Sequence, residues 1–409
     1  MKKIFNFILV LFFTSFVFAD LAPQNRKLEV GVEAEGGLSN NYFRASEMLV
    51  SDLVIDLNEI SNEMSGTGLV LDFLVNAKTW FALNINEKMN LKFFFGVEGS
   101  GYGNISKNFF DALCSGLDLN TDEDFNLKLY GDIYAQAGMT FKTQVKEFGV
   151  SFTPSLFAPV FHVAESKGTV NYKSTESGLI RAEADVPVNV YSVIDLDGIK
   201  DRTIDSAYIQ DALSTLVKGS GFDLAFEIDH KIGEKFTLGA FTRIPLVPGS
   251  LSYKASTRYW AVFEQSNTLG VLNETSSTTK DYGYDDITYS EADEKIHRPF
   301  ILGLEGAWKP FGNWCTFYPK LNLAVRNPYS GENQVYGEFA IVSDFSLLNI
   351  ATLRLGTAYE NLVFKQTAGF MLNFRAVELD AAVMFRGEDF SKSFGMSGLG
   401  AYIAVKCGW

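Results

Sequence analysis

Proline is scarce in this chain, at 10 of 409 residues, and no Ser/Pro-rich linker divides it. Length alone allows two or three soluble domains, but no composition break marks where they would part. Cysteine is scarcer still. Cys114, Cys315 and Cys407 are odd in number and share no motif spacing, which leaves room for one disulfide and excludes a cysteine metal site. Only His162, His230 and His297 are available for acid–base chemistry. Basic charge is in deficit, with 35 Lys and Arg against 49 Asp and Glu, so a nucleic-acid partner is not expected. Past Asp20 every apolar run is broken within a few residues by charge, Asn or Gly. That excludes a membrane-spanning helix, which needs about 20 apolar residues. It does not exclude a barrel, in which only alternate residues meet lipid.

What is present begins at the N-terminus. Lys2 and Lys3 precede an apolar run from Ile4 to Phe18, interrupted only by Asn6, Thr14 and Ser15. Val17-Phe18-Ala19 then suits a signal peptidase. The expectation is a cleavable signal peptide over 1–19, cut before Asp20, and one domain over 20–409. Phe (36) and Gly (35) are abundant and evenly spread, as one large sheet requires.

Period-two alternation dominates the remainder. From Phe222 to Asp229 every even position is apolar and every odd one polar or small. Val377, Leu379, Ala381, Val383 and Phe385 alternate with Glu378, Asp380 and Arg386. Leu353, Leu355 and Tyr359 alternate with Thr352, Arg354 and Glu360. Leu127, Leu129, Ile133, Ala135 and Met139 alternate with Lys128, Tyr130, Asp132, Tyr134 and Gln136. Each stretch is a strand with one greasy and one wet face. Tight connections such as 86–88, 232–235, 309–313, 348–349 and 375–376 alternate with long ones at 37–66, 100–125, 197–219, 264–296 and 387–396. This rhythm predicts an all-β fold, a transmembrane antiparallel barrel of about 14–16 strands, with the short turns on the periplasmic side. The segment 147–196 reads as two strands or four. Helical spacing appears at 46–64, at 105–117 and at 205–217, suiting loop helices or a plug in the lumen.

The last residues alternate Leu399, Ala401, Ile403, Val405, Cys407 and Trp409 with Gly398, Gly400, Tyr402, Ala404, Lys406 and Gly408. A closing strand must present a lipid face and leave no open edge. Ending on an aromatic, this stretch resembles the C-terminal strand signal of bacterial outer-membrane β-barrel proteins. The resemblance implies an outer-membrane location and recognition by the barrel-assembly machinery. The segment from Gly96 to Lys107 is similar to one in uncharacterised barrel proteins of spirochaetes. A more distant likeness is to the outer-membrane long-chain fatty-acid transporters, although no hatch motif precedes the first strand at Leu28–Glu35.

If the apolar faces meet lipid, Lys128, Asp132, Gln136, Asp223, Glu227, Asp229, Arg354, Glu378, Asp380 and Arg386 line the interior. Such a mixed-sign lining is either a water-filled, porin-like pore or a lumen sealed by paired charges. Trp308 and Trp314 flank the turn at 309–313 and Trp409 ends the chain, so all three are expected at the periplasmic membrane interface, which indoles favour. The function expected is passage of small solutes or hydrophobic nutrients; the alternative is a surface adhesin whose long loops bind partners. Outer-membrane lipid is the expected surrounding. No catalytic residue, metal or cofactor is expected. His162 with Glu165 and Ser166 evokes a nucleophile–base pair, but one loop fixes no geometry. Acidic groups at 118–124 and 281–294 offer oxygen without calcium-loop spacing.

Overall fold

The structure, a computed structural model, describes residues 26–43, 62, 64, 66, 68–86, 88–115, 122–175, 178–197, 206–266, 277–329, 334–347, 350–360, 363–374, 376–387, 389–395 and 397–408. The expected signal peptide, almost all of the 46–64 segment and Trp409 therefore lie outside the described residues.

Among the described residues, eighteen strands form one sheet. In chain order they are β1 Leu28–Asn40, β2 Leu69–Asn86, β3 Met89–Ile105, β4 Asp122–Val145, β5 Phe148–Ser174 and β6 Leu179–Ser192. Then come β7 Gly221–Ile232, β8 Phe236–Val247, β9 Gly249–Ser266, β10 Ser277–Tyr284, β11 Thr288–Ile296 and β12 Phe300–Trp308. The last are β13 Cys315–Arg326, β14 Gln334–Leu347, β15 Ala351–Glu360, β16 Val363–Asn373, β17 Val377–Gly387 and β18 Gly398–Gly408. Helix α1 (Lys107–Ser115) follows β3, helix α2 (Ser206–Lys218) follows β6, and a single 3₁₀ turn, Lys392–Gly395, precedes β18.

Fourteen strands close a ring. Its order is β1–β2–β3–β4–β5–β7–β8–β12–β13–β14–β15–β16–β17–β18, and β18 returns to β1 from Glu29↔Gly408 to Ser39↔Gly398. Closure removes the sheet edges that lipid could not satisfy. The remaining four strands extend the ring upward on one side. β5 pairs with β7 along Phe148–Phe157 and with β6 along Phe161–Ser174, so β6 and β7 fill one slot end to end. β8 runs on into β9 across Pro248, and β11 into β12 across His297-Arg298-Pro299. β6 pairs β9, and β9 pairs β10 and β11. The segment 147–196 is thus two strands. The stretch 264–296, expected as a loop, carries β10 and β11.

The height of this side follows from strand length. β16 has 11 residues, close to the ~9–11 that span a bilayer, whereas β5 has 27. The β4–β5–β6–β9–β10 wall therefore rises well above the apolar belt.

Short connections gather on one rim, between β2/β3, β4/β5, β7/β8, β12/β13, β14/β15 and β16/β17. Lys146 (φ 59°) and Gly233 (φ 65°) take the left-handed conformation that such tight turns demand. Long connections occupy the other rim, although two links there are short: Ser174 to Leu179 between β5 and β6, and Glu360 to Val363 between β15 and β16. Around the ring the outward positions are large and apolar. Val32, Phe95, Leu304, Leu321, Leu355, Phe370, Val383 and Ile403 are all exposed, which only a surrounding lipid phase stabilises. Cys407 shares that face; Cys315 is buried, and both are free thiols, so neither makes the disulfide that the count allowed. The chain is an antiparallel barrel of the outer-membrane type.

Candidate functional site: the barrel interior

Inside the ring, Gly31 leaves space for the Trp80 indole, whose ring would stand 2.1 Å from any Cβ built there. Lys92 lies over that indole at 4.4 Å, and Lys78 over the Phe94 ring at 4.6 Å. Charge on an inward face is thus held against rings and counter-charges.

In the strand register the ten residues expected to line the interior alternate with exposed apolar positions such as Leu129, Phe226, Ile228, Leu353, Leu355, Leu379 and Val383. They separate into two groups. Around β14–β18 and β1–β2 the pairs follow the wall. Arg354 forks onto Asp344 at 2.9 Å through both Nε and Nη2, and its Nη1 reaches Asp380 at 2.6 Å. Lys406 bonds Glu378 at 2.9 Å. Arg386 donates to Asp72, which also accepts from Ser39 Oγ at 2.5 Å. Lys365 reaches Glu360 at 2.5 Å and Glu35 at 3.7 Å. Arg386, Lys365, Glu35 and Asp72 are all buried.

On the β3–β13 side the pairs leave the wall. Arg298, in the link before β12, donates to Asp223 of β7 at 3.0 Å and to Glu98 of β3. Arg243 of β8 approaches the same Glu98 at 3.5 Å. The Arg298 guanidinium also stands over Tyr134 and Phe157, at 5.9 and 5.8 Å. Three ring strands separate β3 from β8, so these contacts cross the lumen. Higher up, Arg326 of β13 sits over Tyr130 at 4.2 Å, and over Tyr102 and Tyr336 at 5.5 Å. Gln334 donates to Glu165 at 3.0 Å, joining β14 to β5. A polar bridge therefore spans the upper half of the interior. Nearer the short-turn rim, Lys142 pairs with Glu227 at 3.6 Å and Asp229 at 3.3 Å. Lys128 lies half exposed, 3.9 Å from Glu165. Gln136 faces inward between Gly96 and Phe157.

The bridge abuts the interruption of the wall between β6 and β7. Where β6 ends and β7 begins, Tyr134, Phe157, Val193, Leu251 and Ile296 form an apolar cluster, with Leu216 of α2 packed on it. Leu213 and Val217 of the same helix remain exposed. The helix expected over 205–217 thus braces the base of the tall wall.

Other expectations resolve differently. His162 Nδ1 lies 2.7 Å from Asp132 Oδ1, both groups being buried, and Tyr130 donates to the same carboxylate. Ser166 instead donates to the Pro187 carbonyl, while Glu165 is engaged by Gln334, so the three residues do not assemble into a relay. His230 stacks on Phe148 at 4.4 Å and His297 meets Tyr329 edge-on at 4.7 Å. Asp122, Glu123 and Asp124 belong to β4 instead of a loop, paired with Lys173, Tyr172 and Asn171. Among the described residues no group of His, Cys, Asp or Glu is arranged to hold a metal. Trp308 and Trp314 are half exposed beside the β12/β13 turn, Trp314 stacking on Phe311 at 5.8 Å.

Sequence reading did not single out Glu98, Arg243, Arg298 or Arg326. Alternation within β3 and β13 marks Glu98 and Arg326 as inward. Nothing local marks Arg298, which lies between strands and whose partners are 75 and 200 residues away.

No family model matches the chain, and no curated protein matches it. Among solved structures, the toluene transporter TodX of Pseudomonas putida is 9% identical, covering 95% of this chain and 91% of its own, with a TM-score of 0.46. The toluene transporter TbuX of Ralstonia pickettii is 9% identical over 94% and 90%, with a TM-score of 0.46. A FadL homologue of Pseudomonas aeruginosa is 8% identical over 93% and 90%, with a TM-score of 0.45. At these scores the barrel assignment rests on this chain's own strand register.

Proposed function

We propose that the protein is an outer-membrane channel that admits small solutes through its lumen, with the constriction formed by Glu98 held between Arg298 and Arg243 and, above it, Arg326 over Tyr130. The observation that supports this most is the chemistry of the bridge. A lumen sealed for stability alone would be filled with apolar side chains, because burying an ion pair brings little or no net gain over a hydrophobic substitute. Here the crossing groups are charged, and Asp223 Oδ1 and Arg298 Nε have no hydrogen-bond partner among the described residues. Leaving such buried atoms unpaired costs about 1–3 kcal/mol each, a cost that water entering an opened lumen removes. The bridge is therefore poised between a paired, closed arrangement and a hydrated, open one. The Lys142, Asp229, Glu227 and Arg354 side chains line the path below it. Tyr102, Tyr130, Tyr134 and Phe157 add aromatic surface at the constriction, which favours a second reading in which the solute is a small hydrophobic nutrient. Trp308 and Trp314 fix the short-turn rim at the membrane interface in either case.

The test is single-channel recording of the refolded mature protein in planar bilayers. Brief, small conductance steps are expected from the unaltered chain, and longer, larger ones from Arg298→Ala combined with Arg326→Ala. Silence from both proteins would overturn the reading.

A further inference from the structure

Above the membrane belt the tall wall ends in a strand with one neighbour. β10 is paired along Ser277–Tyr284 with β9, and among the described residues it pairs with no other strand. Its second edge presents a row of backbone N–H and C=O groups. Such an edge is a template for another strand unless it is covered, twisted away or studded with proline. No proline occurs between residues 249 and 298. We propose that this edge takes up an extended polypeptide rich in Lys or Arg, which adds as a further strand beside β10.

Two features of the surroundings support addition of a strand. The first is a furrow along the outer face of β6, β9 and β10, with a volume of about 300 Å³, walled by Ala184, Val186, Tyr259, Ala261, Tyr282 and Tyr284. Tyr282 is 81% and Tyr284 68% exposed, far more than rings packed in a finished sheet. In an added strand alternate side chains fall on one face, so every second apolar residue would lie along these rings. The second is charge. Along the β10–β11 margin Asp281, Asp285, Asp286, Glu291, Asp293 and Glu294 outnumber Lys280 and Lys295. Inner-face neighbours add no basic excess: Arg181 is engaged by Glu183 and Glu264, and Arg258 by Asp185.

The same charges argue against a second copy as occupant. In a two-fold antiparallel pairing of β10 with itself, one residue stands opposite its own equivalent. The central choices are Lys280 facing Lys280 or Asp281 facing Asp281, and like charges directly opposed are destabilising. A foreign strand bearing Lys or Arg meets no such conflict.

The experiment uses the full-length mature protein refolded in detergent micelles and a synthetic peptide of alternating Lys and Val. Two controls share its length: one of alternating Glu and Val, and one with the Lys–Val sequence but N-methylated at alternate peptide bonds. Affinity is read by calorimetry, and amide hydrogen exchange is followed over 277–296. The Lys–Val peptide is expected to bind and to slow exchange in Ser277–Tyr284. The N-methylated peptide, equal in charge but unable to pair, is expected to bind at least about tenfold more weakly. The Glu–Val peptide is expected not to bind. Equal binding of the N-methylated peptide without slowed exchange would overturn the proposal, leaving charge attraction alone. Exchange in Ser277–Tyr284 that slows with protein concentration in the absence of peptide would overturn it in favour of self-pairing. Because all three peptides meet the same unaltered protein, no outcome depends on a variant's folding.

Discussion

The two sides of this barrel solve the same problem differently. From β12 through β18 the strands are short, each pairs along most of its length with its ring neighbours, and the nearby ion pairs, such as Arg354 with Asp344 and Lys406 with Glu378, run along the wall. From β4 through β9 the strands β4, β5 and β9 are long, one slot is shared by β6 and β7, and the charged groups cross the interior. The first side follows local rules, with a lipid face and a wet face alternating at period two. The second departs from them where chemistry concentrates. Interruption of β6/β7 admits α2 and the apolar cluster around Phe157, and from there Arg298 reaches both Asp223 and Glu98.

The largest effect that would sharpen this contrast is expected within the regular side. Arg386→Ala strands the buried carboxylate of Asp72, and breaking a buried pair in this way costs about 3–5 kcal/mol. The urea midpoint of the refolded barrel should fall accordingly. An unchanged midpoint would mean that water reaches the pair freely and that this side is no more closed than the other. Next, the same substitution made on the outward face at two heights compares belt with wall. Leu355→Arg lies amid the exposed apolar positions of a ten-residue strand and should cost about 2–4 kcal/mol in vesicles. Tyr259→Arg, on the tall wall, should cost roughly 0–1 kcal/mol, because interfacial or exposed sites tolerate the charge. Equal costs would place the wall inside the bilayer and remove the height difference. The smallest effect is expected at Asp185 and Arg258, an exposed pair on the wall, 2.7 Å apart. Hydrogen bonding from Arg258 holds the Asp185 carboxyl below the usual carboxylate range. Screening by water should nonetheless leave the midpoint of Arg258→Ala unchanged.

How much could be read from the sequence follows the same divide. Alternation at 222–229, 353–359 and 377–386 marked the strands and assigned Asp223, Arg354 and Asp380 to the inner face, because side-chain direction is a local property of a strand. The β4–β5 region was less legible. Its strands run far beyond a bilayer's thickness, so acidic positions such as Glu123 and Glu291 read as loop while they belong to strands. The order in which β6, β7 and β9 share neighbours is a matter of pairing between distant segments, on which local alternation is silent. For the same reason Arg298 passed unnoticed: an arginine next to a proline in a connection has no period to betray it, and its meaning comes only from Glu98 across the lumen.

The measurement that bears most directly on the bridge as constriction is ion selectivity of the single channel before and after Glu98→Gln. This substitution removes one negative charge from a cluster that retains Arg243 and Arg298, and it preserves side-chain size. The bridge account predicts a shift of the reversal potential toward anions in a salt gradient, together with longer open times. A reversal potential and open time identical to those of the unaltered protein would show that permeating ions do not pass Glu98, and the assignment of the constriction would fall.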